Sequence, residues 1–361
     1  MLKCLHMEKP TLAYIDHIAH KENGSNLFLK EVLSKYFSVT SLWVNPWGMP
    51  RVIAPEEINK YDYVLFFQRI NQFTELKQVK AKIIWVAVYD SLNTDYFFWK
   101  ALSTLPIKIL SFNKKVNEKA AKFGIKNEYF KFYPDPESLN ECAPRNEKTN
   151  VLFWYRGTVK WKEVRSVLDP DEIDSLTYRS APDRHFEPET ISNEDIQKYK
   201  IRFDNRAFSA KNVLKEMFTE NTVFIEPRRM EGIGLAYLEA LASGHCVIAN
   251  NDATMNEYIT SGTNGIIVDF DKPQKISLKN WKALATNARE SFVKGRKEWL
   301  ASEEKLVEFA KQEASSRITS SLSVAVWRTL YAIKYFIYTK KQDSVRRAKI
   351  KEKKKLAPPV G

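Results

Sequence analysis

Cysteine is scarce in this 361-residue chain, and Cys4, Cys142 and Cys246 are scattered without metal-ligand spacing. An odd, dispersed set supports neither a disulfide framework nor a zinc site, and it suits a reducing, cytoplasmic compartment. Glycine is also sparse, at 11 residues, which excludes a glycine-repeat architecture. No uncharged apolar run reaches the roughly 18 residues that a membrane span needs, so none is expected. The N-terminal stretch MLKCLHMEKPTLAYIDH lacks the long apolar segment and small-residue cleavage site of a secretory signal. Internal repeats are absent, and the only biased segment is lysine-rich and C-terminal.

The chain is 44% hydrophobic, 28% charged and 13% aromatic, a globular balance too apolar for disorder. Its length suggests two domains of ordinary size. Lysine and arginine number 57 against 44 acidic residues, a formal net charge of +13. Residues 340–355 hold nine of those cations and only Asp343 and Glu352 against them, so +7 of the excess sits in one short segment. The body is therefore only mildly basic. With no aromatic–basic recognition motif, nucleic acid is not an expected partner.

Short apolar runs alternate with helical periodicity through the first 140 residues. Strands are expected at 11–15, 39–44, 63–67, 83–88 and 108–112. Leu27, Leu29, Val32, Leu33 and Tyr36 recur at helical spacing, as do apolar residues over 116–123. Continuous apolar strands separated by helices imply a parallel sheet covered on both faces. Residues 137–150 are polar and aperiodic, a linker. The pattern then restarts, with strands expected at 151–155, 175–178, 222–225, 246–250 and 265–268, and helices at 213–217, 235–242 and 255–260. Beyond Asp271 only helix is expected. The fold class is α/β, with two Rossmann-like halves.

Residues 224–270 carry the most chemistry. A strand ends at Glu226-Pro227, and the loop Glu231-Gly232-Ile233-Gly234 opens a helix that Ser243-Gly244 closes. Glycines let the backbone approach a ligand, and free N–H groups at a helix start favour an anion such as a diphosphate. Glu231 and Glu239, on the loop and just inside the helix, are placed to line one cleft. Spacing alone would equally suit two solvated glutamates. At the start of the second half, Arg156 ends a strand and Lys162 follows near a helix start. Two cations there could neutralise a leaving diphosphate, or be ordinary surface basicity. In the first half Asp90 lies just beyond a strand's carboxyl end, where polar groups gather in an open α/β domain, although a turn-forming Asp is nearly as good a reading.

In order, Pro227, Glu231-Gly232, Gly234-Leu235, Leu238-Glu239-Ala240, Ala242, Gly244, Val247-Ile248-Ala249, Glu257, Ile259 and Asn264-Gly265 resemble the donor-binding half of retaining GT-B glycosyltransferases of family four (group 1). That resemblance implies two Rossmann-like domains facing a central cleft, with C-terminal helices. Residues 1–140 would be the acceptor-side domain and 141–272 the nucleotide-sugar domain. Residues 273–338 would be helices partly crossing back to the first domain, and 339–361 a basic tail. It implies that Glu231 contacts the transferred sugar and Glu239 the nucleotide ribose, that Gly232, Gly234 and Leu235 receive the donor, and that Arg156 and Lys162 take the leaving-group charge. Asp90 would face the donor sugar. Where the family has paired glycines this chain has Asp252-Ala253-Thr254-Met255-Asn256, so side chains of Thr254 and Asn256 would replace backbone contacts. The loop DHIAHKENGSN places His17, His20 and Ser25 where such enzymes contact the acceptor. No third ligand accompanies the histidines, so no metal is expected.

Ile318, Leu322, Val326, Leu330, Ile333 and Ile337 recur at helical spacing with Trp327, Tyr331, Tyr335 and Tyr338 among them, an amphipathic helix. Such a helix could return to the first domain or lie on an anionic membrane surface with the basic tail. The resemblance therefore implies a retaining, metal-independent hexosyltransferase with a nucleotide-sugar co-substrate and no other cofactor. Its acceptor would be a glycan or lipid-linked glycan of bacterial surface polysaccharide, of lipopolysaccharide or capsule type, at the cytoplasmic face of the inner membrane. The alternative is a catalytically silent scaffold of similar fold within a polysaccharide assembly complex.

Overall fold

The computed structural model describes residues 8–45, 52–183, 185–206, 210–314 and 320–356. Twelve strands form two six-stranded, wholly parallel sheets. The first contains β1 (Thr11–His17), β2 (Ser38–Val44), β3 (Tyr63–Phe67), β4 (Lys82–Ala87), β5 (Ile107–Ser111) and β6 (Lys126–Tyr129), in the order β2-β1-β3-β4-β5-β6. The second contains β7 (Asn150–Tyr155), β8 (Ser175–Ser180), β9 (Ile201–Phe203), β10 (Val223–Ile225), β11 (Cys246–Asn250) and β12 (Ile266–Val268), in the order β12-β11-β10-β7-β8-β9.

The two-residue period of the strands sorts the core of the first sheet. Leu12, Tyr14, Leu65, Phe67, Ile84 and Val86 pack on one face with the helix Leu27–Ser34. Ala13, Ile15, Val64, Phe66, Ile83 and Trp85 pack on the other with the helix Tyr96–Leu102. Both faces are covered, which is why these strands read as unbroken apolar runs rather than alternating ones. The inner core is shared between the halves: Leu152, Phe224 and Val247 of the second sheet belong to the same cluster as Leu12 and Leu65. Two strands lie outside the expected set, β6 and β9. Each forms a sheet edge with a single neighbour, and β6 reads Lys-Asn-Glu-Tyr with no apolar run to announce it.

The helix Trp281–Lys311 joins the two halves. Its start, at Trp281, Leu284 and Ala285, packs on the outer face of the second sheet. Further on, Trp299 lies against Phe28, Phe112 and Phe132 of the first half. Midway, Gly295 faces the Tyr133 ring so closely that a Cβ would come within 2.3 Å of it, so this crossing requires glycine. The helix ends on Lys108 of β5, a fully buried ammonium that donates to the carbonyl oxygens of Phe309 (3.1 Å), Ala310 and Gln312. These are among the carbonyls a helix terminus leaves without partners.

The last helix, Ser321–Leu356, lies on the helix Tyr96–Leu102. Trp327 meets Tyr96 and Phe97, Tyr331 meets Phe73 and Phe98, and Lys334 pairs with Asp95 at 2.6 Å. Of the two placements left open by the sequence, the Trp327 and Tyr331 face takes the return to the first half. The face left exposed carries Leu322, Val326, Leu330, Ile333 and Ile337 instead. The helix runs unbroken through the basic segment to Leu356. Among the described residues no helix is long and apolar enough to cross a membrane.

Candidate active site

The carboxyl ends of the two sheets face one cleft of about 480 Å³. The first half contributes His17 after β1, Gln68 and Arg69 after β3, and Asp90 after β4. The second contributes Trp154 and Arg156 at the end of β7, Glu226 and Arg228 after β10, and the loop from Glu231 to Ala236. An open parallel sheet collects ligands at this edge because every strand there ends in a loop and every following helix presents its N-terminus.

Two glycines shape the loop. A Cβ on Gly232 would stand 2.8 Å from Asp90 Oδ1 and 2.8 Å from Val88 Cβ, so glycine lets the second half touch the first. Gly234 has φ +77° and opens the helix Leu235–Ala242, where a Cβ would run into the Tyr237 ring. Thr254 fastens the loop from behind. Its buried hydroxyl reaches the carbonyl oxygens of Glu231 (2.8 Å) and Gly232 (3.1 Å) and accepts from Asn113 Nδ2 of the first half (2.8 Å). Thr254 therefore positions the loop rather than lining the cleft. Asn256 is exposed, donates to Asn251 Oδ1 at 3.2 Å and does not line the cleft either.

Arg228 is the centre of charge. Its guanidinium lies 2.9 Å from Asp183 Oδ2, 3.5 Å from Glu231 Oε1 and 3.9 Å from Asp90 Oδ2. Arg156 meets the other oxygen of Asp183, with Nε at 3.0 Å, and stacks over Trp154 at 5.0 Å. Glu226, 1% exposed, accepts the Arg228 backbone N–H at 3.3 Å through Oε1, while its Oε2 has no partner. Burial pushes the Glu226 carboxyl well above the usual carboxylate range, and neighbouring Glu231 adds to it. Burial raises Glu231 too, against the pull of Arg228. The same balance of burial and Arg228 leaves Asp90 raised. A proton held within this carboxyl group lets it both donate to and accept from sugar hydroxyls.

At the end of β1, His17 Nδ1 accepts the Ala19 N–H at 2.9 Å, which fixes the neutral ring's proton on Nε2. Burial, with His20 and Arg69 nearby, lowers its pKa. His20 Nδ1 lies 2.8 Å from Asp16 Oδ1, and Ser25 Oγ donates to Asn23 Oδ1 at 2.7 Å. The structure thus brings His17, His20, Ser25, Asp90, Arg156, Glu231, Gly232, Gly234 and Leu235 to one cleft. Besides Thr254 and Asn256, it leaves two others outside the lining. Lys162 stands exposed on the helix Trp161–Val167, away from the cleft lining, and the second cation beside Arg156 is Arg228. Glu239 sits within its helix, and burial holds its carboxyl up to about 7. Among the described residues nothing hydrogen-bonds that carboxylate. Arg228 and Glu226 escaped the sequence reading, although a glutamate ending a buried strand and a cation two residues later were there to be seen.

Two parallel α/β sheets meeting at their carboxyl ends, bridged by long C-terminal helices, are the GT-B glycosyltransferase fold. Residues 194–315, which include Glu226, Arg228, Glu231 and Glu239, match the family Glycosyl transferases group 1. A relative in sequence is an uncharacterized 41.2 kDa protein in the cps region of Klebsiella pneumoniae, 31% identical over 143 residues. That match takes in 39% of this chain and 38% of the relative. Similar solved structures include a glycosyltransferase from Rickettsia africae ESF-5, with a TM-score of 0.60 at 15% identity over 84% of this chain and 98% of that one. Another is a sucrose-phosphate synthase from Thermosynechococcus elongatus, with a TM-score of 0.56 at 12% identity over 90% of this chain and 100% of that one.

Proposed function

We propose that this chain is a retaining, metal-independent glycosyltransferase. It moves a hexosyl group from a nucleotide-diphosphate sugar to a glycan or lipid-linked glycan of bacterial surface polysaccharide. The observation that carries the reading is the Arg156–Arg228 pair set between the glycine-opened helix start and the carboxyls of Glu231 and Asp90. The donor diphosphate lies at the Gly232–Gly234 loop, facing the N–H groups at the start of the helix Leu235–Ala242. Glu239, outside the cleft lining but on the helix that this loop opens, takes the ribose hydroxyls of a donor that extends beyond the cleft, and among the described residues its side chain has no hydrogen-bond partner. As the anomeric bond breaks, charge grows on the leaving phosphate, and Arg156 and Arg228 stabilise it more in the transition state than in the ground state. Glu231 holds the transferred sugar and Asp90 approaches it from the first half. The acceptor enters past His17, His20 and Ser25.

The same reading sets the protein on the cytoplasmic face of the inner membrane. The exposed stripe of Leu322, Val326, Leu330, Ile333 and Ile337, followed by the +7 segment, supports a peripheral contact with anionic lipid. The test of function is a thermal-shift screen against UDP-, GDP-, ADP- and CMP-sugars, since a donor that binds the folded state raises the midpoint. The donor selected is then turned over with a lipid-linked acceptor in EDTA, and the product's anomeric configuration is read by NMR. Turnover with retention is expected. Donor binding without turnover would favour the silent scaffold, and inversion would remove the assigned stereochemistry.

A further inference from the structure

A larger cavity, of about 950 Å³, adjoins the cleft. It lies beyond the carboxyl ends of β3 and β4, between the helix Tyr96–Leu102 and the C-terminal helix. Gln68 and Arg69 line both spaces, so the two share a wall. Trp85, Tyr96, Tyr331 and Tyr335 line this cavity along with Asn71, whose Nδ2 also donates to Ile53 O (2.9 Å), and Asn93, whose Oδ1 also accepts the Asp95 N–H (2.8 Å). Tyr331 and Tyr335 are stacked, with ring centres 6.0 Å apart, and Tyr335 is 38% exposed. Asp95 is the one acidic residue in the lining, and it is already engaged by Lys334 at 2.6 Å and by the Phe97 N–H at 2.7 Å.

Ring faces beside neutral amides, with the acid neutralised, are suited to pyranose rings, whose C–H faces stack on aromatics while their hydroxyls bond amides. The volume exceeds what one sugar fills. The shared wall carries an independent sign of use. Gln68 has φ +65°, a left-handed conformation rare outside glycine, and it is held there by the Trp85 indole N–H on its carbonyl oxygen (3.1 Å) and by its own N–H on Val86 O (2.9 Å). Strain of this kind persists where the surroundings impose it, and it concentrates at ligand sites.

We propose that this cavity is a subsite for the body of an oligosaccharide acceptor. The terminal sugar reacts in the cleft, and the preceding units pass Gln68 and Arg69 to lie on the Tyr331–Tyr335 platform. The proposal rests on the glycosyltransferase reading and adds that the acceptor is a chain already begun by an earlier glycosyl transfer. It also gives the C-terminal helix a part in choosing the acceptor.

The experiment uses the full chain and fragments of one to four sugars, released by partial acid hydrolysis of the surface polysaccharide of the strain that carries it. Affinity is measured by titration calorimetry, with saturation-transfer NMR reporting the bound sugars. An increase of at least tenfold from one unit to three is expected. Tyr335→Ala and Tyr331→Ala should flatten that increase while nucleoside-diphosphate affinity stays within twofold, and Tyr335→Trp, which keeps a ring face, should restore it. Tyr335 touches little else, so its truncation guards against a Tyr331 variant that fails to fold. Equal affinity for one and three units, or a length dependence unchanged in both alanine variants, overturns the subsite. Length-dependent binding without any donor turnover would leave the subsite standing and remove the enzymatic reading instead.

Discussion

Arg228 keeps three carboxyls of the cleft from repelling one another, so its removal should be felt twice. On the proposed mechanism, in which both cations face the leaving group, Arg228→Ala is expected to lower kcat by about 10²–10³, as Arg156→Ala should. It should also cost about 3 kcal/mol of stability in denaturant unfolding, since it strips a partner from part-buried Asp183, Glu231 and Asp90. Lys162→Ala, on an exposed helix face, should change kcat less than twofold. A large fall at Lys162 with none at Arg228 would reverse the assignment. Glu239 offers a test in pH. Its folded pKa, raised to about 7, lies above the ordinary value near 4.5, so the folded state holds the extra proton between those limits. The associated stability is fully present below about pH 4.5 and lost as pH rises through 7. Glu239→Gln should therefore gain melting temperature over wild type from pH 4.5 to pH 8, toward a difference of about 3 kcal/mol. It should also raise donor KM while leaving kcat at saturation nearly unchanged. A pH-independent difference would contradict the burial of this carboxyl. Glu231, Asp90 and Arg156 were legible because each lies in the segment that follows a strand's carboxyl end. The glutamate that ends β10 and the cation two residues on were visible as well, but their roles arise only when the end of β10 meets the end of β4.

At the scale of elements, apolar runs located ten of the twelve strands, because strands buried on both faces carry their own signal. The edges β6 and β9 bury too little to do so, and they are recruited by the ladder of a neighbour. The crossing of the helix Trp281–Lys311 was legible only as helix; its contact with Lys108, about two hundred residues away in the chain, has no local signature. That contact is a tight one. Lys108→Met would keep the volume but leave the helix-terminal carbonyls of Phe309 and Ala310 unpartnered in a buried place. A loss of about 2–3 kcal/mol is expected, with amide exchange accelerated over residues 305–311. Unchanged exchange in that last turn would mean the ammonium caps nothing of consequence. The C-terminal helix shows the opposite case, in which periodicity was plain but orientation was hidden. Both of its faces are apolar, and only the position of Tyr96, Phe97 and Phe98 decides which one is covered.

For the whole molecule, that orientation separates two forces of membrane contact. Removing residues 340–361 should lower flotation with anionic vesicles at low salt. A cation near such a surface contributes roughly 1 kcal/mol, and its attraction is screened over about 8–10 Å at physiological salt. Leu330→Ser with Ile333→Ser should remove the salt-resistant remainder, whereas Trp327→Ala, on the packed face, should leave flotation unchanged. Equal flotation of the full and shortened chains at low salt would refute the anchoring role. The two halves are also tied across the cleft, by Asn113 to Thr254, Lys114 N–H to Glu257 and Tyr129 to Glu257 (2.8, 3.0 and 2.6 Å), and by a core common to both sheets. This sharing has a consequence for synthesis. The ribosome finishes the first sheet with β6 at residue 129, yet the surface of Phe28, Phe112 and Phe132 waits for Trp299, and the Lys108 ammonium waits for carbonyls at residues 309–312. Throughout translation of the second half, the nascent first half therefore shows bare aromatic surface and an uncapped buried cation to the cell. Apolar surface left open in this way before a chain is complete is what makes such intermediates prone to aggregation.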